Sequence, residues 1–180
     1  MDNKALLEGL ALKIRACTLC PLYKGTTNAV PGEGDPNAEI FFIGEGPGFY
    51  EDKTGRPFVG RAGKLLEQTI NKVGLKREEV FIGNVVKHRP PENRDPMPAE
   101  ILSCTGWLSQ QLEIIKPKVV VTLGRFSMAH FLANAKISQI HGLARKVKEY
   151  VVLPMYHPAA ALRNGNLLTE FQKDFEDNKE

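Results

Sequence analysis

Apolar residues along the chain gather into four short runs: EIFFIG (39–44), VFIGNVV (80–86), KVVVTLG (118–124) and VVLPMYHP (151–158). Each is rich in β-branched or aromatic residues and too short for a helix, a pattern that predicts strands buried on both faces. Between them the apolar positions recur at helical spacing. Residues 4–15 place Leu6, Leu7, Leu10, Leu12 and Ile14 on a helix, and 61–75 read as another that stops near Gly74. A third is predicted from about Pro98, suited to a first turn, to Ile115, with Pro117 closing it. RFSMAHFLANA and the terminal LLTEFQKDFEDNKE complete the set. Strands alternating with helices imply an α/β layered fold around a mostly parallel, four-stranded sheet. No repeat, low-complexity tract or linker divides the chain, so one domain over residues 1–180 is expected.

In such sheets ligands bind outside the carboxyl ends of the strands. Three of the runs leave into GEGPGFYED, NVVKHRPPENRDP and YHPAAALRNG, which locates the expected site. With 25% charged and 42% hydrophobic residues, the 180-residue chain has the composition of an ordinary soluble domain. Its net charge of +3 permits a nucleic-acid partner without arguing for one. No apolar run approaches the roughly 20 residues that cross a bilayer. MDNKALLEGLALKIRAC lacks the apolar core of a signal peptide, so no membrane association and a cytoplasmic location are expected. There, cysteines stay reduced and bind metal or do chemistry.

Cys17 and Cys20 form a C-x2-C pair, a spacing that can place two thiolates on one metal or cluster. Cys104 is the only other cysteine and reads equally as a small buried helix residue. His88, between Lys87 and an Arg-Pro-Pro turn, can complete a four-ligand set or simply face solvent or DNA phosphates. A Cys3His set suits zinc as well as an iron–sulfur cluster.

Several motifs in order carry a specific resemblance: CTLC, GEGPGFYEDKTGRPFVGRAG (44–63), NVVKHRPPENRDP (84–96), VVVTLG (119–124) and YHPAAALRN (156–164). The chain resembles the family 4, iron–sulfur uracil-DNA glycosylases over nearly its whole length. The resemblance implies a three-layer α/β/α fold and a DNA repair enzyme that excises uracil and leaves an abasic site. In that family the second segment reads N-V-V-K-C-R-P-P, and its cysteine ligates a [4Fe-4S] cluster. His88 stands in that place here, and Cys104 follows at the spacing of the next family ligand. The implied ligands are therefore Cys17, Cys20, His88 and Cys104, with zinc as the alternative occupant.

The same resemblance assigns the strand ends. Asn84 would read uracil N3–H and O4, since an amide offers one acceptor and two donors. His157 would donate to uracil O2 as the ring departs. Glu45 and Gly46 would line the site, the backbone there contacting uracil or positioning water, Glu51 would crowd out thymine's methyl group, and Phe58 would stack on the everted base. Asn93 matches a family asparagine associated with catalysis. Leu162 would fill the space left in the duplex, with Arg163 on a phosphate. Each has a plainer reading: a strand-end asparagine, a capped loop histidine, a solvated glutamate, a core phenylalanine, a solvated arginine. His130 is expected to be packing, and His141 has no assignment.

Lys53, Arg56, Arg61, Lys64, Lys87, Arg89 and Arg94 fall near these loops and predict a phosphate-tracking surface. The expected partner is uracil-containing DNA, single- or double-stranded, met by a monomer. Two other classes stay open: a protein that traps uracil-DNA without turnover, and a metal-dependent scaffold or nucleotide binder. A covalently trapping relative of the family likewise has histidine at the place of His88, but it carries a second histidine nucleophile in an inserted Arg-rich loop, and RPPENRDPMP holds none.

Overall fold

The computed structural model describes residues 2–179. Helix α1 (Asn3–Arg15) opens the chain, capped by Asp2. Strand β1 (Glu33–Gly34) follows, then β2 (Ile40–Gly44), α2 (Phe49–Thr54), α3 (Arg61–Lys72) and β3 (Phe81–Asn84). Next come α4 (Pro98–Ile115), β4 (Val119–Leu123), α5 (Arg125–Phe131), α6 (Ile137–Ile140) and β5 (Arg145–Val147). The chain closes with β6 (Tyr150–Met155), α7 (Pro158–Arg163) and α8 (Gly165–Asp177).

The sheet order is β1-β3-β2-β4-β6-β5. Its four central strands are parallel, and they are the four apolar runs. The expected four-stranded sheet is thus extended to six, because β1 pairs antiparallel with β3 and β5 with β6. Two or three residues carry no periodicity of their own; these edges are strands only because a neighbour offers unpaired backbone groups.

Successive strand side chains point to opposite faces, and each face is covered. Phe42, Ile82, Val121 and Leu153 pack under α3, α7 and α8, where Leu66, Ile70 and Phe171 are fully buried. Phe41, Ile43, Val120 and Val152 meet Leu108, Leu112 and Ile115 of α4 on the other face. Leu10 and Ile14 of α1 pack outside α4, against Trp107 and Ile114. The result is the three-layer α/β/α arrangement. Among the described residues no helix is long and apolar enough to cross a membrane.

Beyond the end of β3, Val85 and Val86 donate to the carbonyls of Gly44 and Glu45 at 3.0 and 3.1 Å. The exits of β2 and β3 therefore leave the sheet tied together, and His88 follows two residues later.

Candidate active site

The carboxyl ends of β2, β3, β4 and β6 open into one cavity of about 840 Å³. Glu45, Gly46, Glu51, Phe58, Asn84 and His157 line it, and Asn93, Leu162 and Arg163 also contribute to its wall. Residues from three sequence-distant loops therefore share a single space.

Asn84 ends β3 and is buried, yet its Oδ1 accepts no hydrogen bond. An unpartnered buried polar atom costs roughly 1–3 kcal/mol. Gly44, opposite on β2, makes the arrangement possible: a Cβ there would stand 2.5 Å from Asn84 Oδ1 and 2.5 Å from Phe58 Cζ. The amide and the aromatic ring thus meet across a backbone with no side chain.

Phe58 holds a left-handed backbone conformation, φ +49°, a strain of order 1–3 kcal/mol for a bulky residue. Its surroundings enforce it. Arg77 donates to the Phe58 carbonyl at 3.0 Å and also to that of Pro57. Gly63 on α3 packs directly on Phe58, where a Cβ would fall 1.9 Å from the carbonyl oxygen. Glu51 accepts from the Val59 and Gly60 amides at 3.0 Å and from the Gly48 amide at 3.1 Å. Its carboxylate is neither a free surface charge nor loose in the cavity. It ties the glycine loop to the turn that presents Phe58.

The Phe58 and His157 rings lie 5.8 Å apart, tilted by 30°. His157 caps α7: its Nδ1 accepts the Ala159 amide at 3.0 Å, which assigns the ring proton to Nε2. Burial, helped by the positive charge of Arg163, pushes its pKa down to about 4. His157 is thus a neutral donor.

Glu45 moves the other way. Burial, reinforced by the negative charge of Asp95 and opposed by Arg125, raises its carboxyl to about 7. Asp95 and Arg125, themselves paired, are parts of this wall that sequence reasoning did not single out. Phe49 and Tyr50, both exposed on the cavity wall, are others; two adjacent aromatics in a glycine-rich, charged segment were the available signal.

Asn93 lies on a short 3₁₀ turn, Pro91–Asn93, with Glu92 and Asn93 at φ +53° and +56°. Its Oδ1 accepts from Arg89 at 2.7 Å. Arg89 is absent from the cavity wall and sits 5.3 Å from the Phe49 ring centre. Leu162 and Arg163 are exposed on α7.

The expected basic surface shrinks. Lys87 is fully buried, donating to the Asn84 carbonyl and Gln111 Oε1 at 2.7 Å each. Burial pushes its pKa down to about 8. Arg56 pairs with Glu33, and Arg94 with the buried Glu100. Local sequence could not reveal Lys87's burial, since its side-chain partner lies 24 residues away.

The cluster candidates are all buried: Cys17 and Cys20 at 8% exposure, His88 at 4% and Cys104 at 2%. None of the thiols is in a disulfide. His88 Nδ1 has no hydrogen-bond partner. Cys17 and His88 face the same small hollow, and Trp107 Nε1 donates to Cys17 Sγ at 3.3 Å. Burial pushes the Cys104 thiol up to about 11, with Cys20 and Cys17 close enough to add to the rise. Among the described residues no three His, Cys, Asp or Glu side chains close on a point as ligands of one ion would. A buried, unpartnered imidazole nitrogen that shares a hollow with a buried thiol fits a metal-binding donor set.

His130 stacks edge-on against Phe131. His141 Nδ1 lies 2.7 Å from Asp174 Oδ2, and its ring lies 4.5 Å from that of Tyr156, on the cavity wall.

Comparison with known proteins gives the family. Residues 31–178 match the family model described as the Uracil DNA glycosylase superfamily. A "Type-4 uracil-DNA glycosylase" of Sulfurisphaera tokodaii is 50% identical over 179 residues, covering 94% of this chain and 81% of that protein. One of Saccharolobus solfataricus is 47% identical over 190 residues, covering 100% and 87%. One of Archaeoglobus fulgidus is 46% identical over 179 residues, covering 94% and 89%.

Proposed function

The chain belongs to the uracil-DNA glycosylase superfamily, and on that premise we propose that it is a monofunctional DNA repair glycosylase that everts uracil and hydrolyses its N-glycosidic bond. It acts as a monomer on uracil-containing DNA and leaves an abasic site. The observation that carries this reading is the unpartnered Oδ1 of buried Asn84, at the edge of a cavity shared with Phe58 and His157. Uracil N3–H supplies the missing donor, and the amide NH2 meets O4. Cytosine reverses both groups and leaves acceptor against acceptor and donor against donor, a mismatch of a few kcal/mol.

Phe58 stacks on the everted ring. As the C1′–N1 bond breaks, its electron pair moves onto the uracil ring and out to O2. The His157 Nε2–H faces that oxygen, and a fixed donor is worth most when the charge appears. Water adds to the cation-like C1′, and Glu45 takes the water proton. Leu162 fills the vacated space in a duplex while Arg163 meets a phosphate. Asn93 is assigned to holding Arg89 toward the backbone.

Cys17, Cys20, Cys104 and His88 would hold a [4Fe-4S] cluster, which when bound supplies a cross-link between the N-terminal loop and the 88–104 segment. Anaerobically purified protein is expected to contain iron and acid-labile sulfide, both falling to background in Cys17→Ser together with a lower melting temperature. One zinc per chain with no sulfide would overturn that ligation.

Purified protein incubated with a uracil oligonucleotide and then alkali should yield strand scission at uracil. A protein–DNA adduct surviving denaturing electrophoresis would mark a trap instead. Among the described residues His157 is the one histidine on the cavity wall, so no second imidazole is placed to attack the sugar.

Glu45 gives a pH prediction. Its carboxyl is pushed up to about 7, so its basic form grows as pH rises through that value. kcat/KM is expected to climb between pH 6 and 8, by up to about tenfold, and then level off. Glu45→Gln should lower the plateau and flatten the climb. An unchanged profile in that variant would remove Glu45 as the base.

A further inference from the structure

Two exposed aromatics beside the cavity are unused by the mechanism above. Phe49 is 43% exposed and Tyr50 59%, and both belong to the cavity wall. They meet edge to face at 5.3 Å and 86°. Lys53 Nζ sits 4.4 Å from the Phe49 ring centre and the Arg89 guanidinium 5.3 Å from it. Arg89 is steadied in turn by Asn93. Phe49 is therefore engaged by two cations and an aromatic edge. Tyr50 has no aromatic partner other than Phe49 and no cation over its ring among the described residues.

We propose that Tyr50 is a stacking platform for the nucleobase next to the everted uracil in the same strand, with Phe49 as its brace and Lys53 and Arg89 on the adjoining phosphates. The proposal rests on the uracil-excision reading and adds a second base subsite to it.

The argument is chemical. An aromatic face beside cations matches a base beside phosphates, and stacking tolerates any base because every base has a π-face. A neighbour in a duplex is already stacked and paired, so leaving its helix gains it nothing. A neighbour in a single strand has no pairing to lose, and eversion of uracil deprives it of one stacking partner. Tyr50 replaces that partner. The platform therefore serves single-stranded substrates selectively.

The test uses the full protein in single-turnover excision, with one uracil oligonucleotide offered single-stranded and annealed. Tyr50→Ala is expected to raise the half-saturating protein concentration for the single strand by roughly 5- to 100-fold. The maximal rate, and both parameters on the duplex, should stay within about twofold, and Tyr50→Trp should restore single-strand binding. Abasic spacers in place of each neighbour of uracil then locate the contact. One spacer should weaken the wild type by the factor lost in Tyr50→Ala, and should cost that variant nothing further. Equal losses on both substrates, or spacers without effect on the wild type, would overturn the platform while leaving the glycosylase reading intact. No excision of either substrate by the wild type would overturn both.

Discussion

Alanine in place of His157 is expected to slow single-turnover uracil excision by about 10²–10³-fold, the loss typical of removing one preorganised donor to a developing anion. The side chain is well suited to that role. Its Nδ1 is committed to the Ala159 amide, so the Nε2 proton is available to a ligand. With its pKa pushed down to about 4 by burial and by Arg163, the ring is a neutral donor throughout the physiological range. Its contribution to the rate should therefore be flat from pH 8 to 5. Stability behaves differently. The folded-state pKa lies below the ordinary value near 6.5, so the unfolded chain takes up a proton that the folded chain refuses. This histidine's contribution to stability is full above about 6.5 and falls as pH drops toward 4; burial of His130 adds the same sign. The gap between urea midpoints at pH 7 and 5 should narrow in His157→Ala. Asn84→Ala should cost excision a similar factor, because the amide proposed to read uracil is gone. Wild-type rates in both variants would remove the assigned chemistry altogether.

Gly44→Ala is expected to have the second largest effect, although the added methyl touches no substrate. Its Cβ would stand 2.5 Å from both Asn84 Oδ1 and Phe58 Cζ, so one or both must retreat. Overpacking of this kind costs roughly 1–3 kcal/mol of stability. The rate should suffer more, by about 10²-fold, since displacing a positioning group by about 1 Å costs that much. Gly83→Ala is the control. It lies on the next strand, and its nearest neighbour is Phe41 Cε2 at 3.3 Å, on the α4 face. It should lower the melting temperature without a comparable loss of rate. Unaltered excision in Gly44→Ala would mean that the ring and the amide need not be held together.

What could be read from the sequence follows from how locally each feature is encoded. The four parallel strands were legible because burial on both faces forces continuous apolar runs, and α4 because Pro98 and Pro117 mark its limits. The apolar spacing predicts neither α2 nor α7. The first lies between glycine-rich turns, and the second is a six-residue helix entered through His157 and Pro158. Their form comes from the capping contacts of Glu51 and His157. Asn84 and His157 were legible through resemblance, because strand ends are where side chains meet a ligand. Lys87 was not, since a lysine at the mouth of a polar, proline-rich loop looks solvated until Gln111 of α4 arrives from the tertiary fold. The tie made by Glu51 is hidden for the same reason: its three partners are backbone amides brought into reach only by the turn.

The two short outer strands have a consequence for the crowded protein. A long flank of unpaired amides and carbonyls invites a second chain to add itself strand by strand, the first step toward fibrils. Here one flank stops after two residues at Glu33, whose carboxylate is already clasped by Arg56 and Arg77, and the other carries exposed Arg145 and Lys146. Concentrated solutions should therefore stay clear of amyloid-like growth.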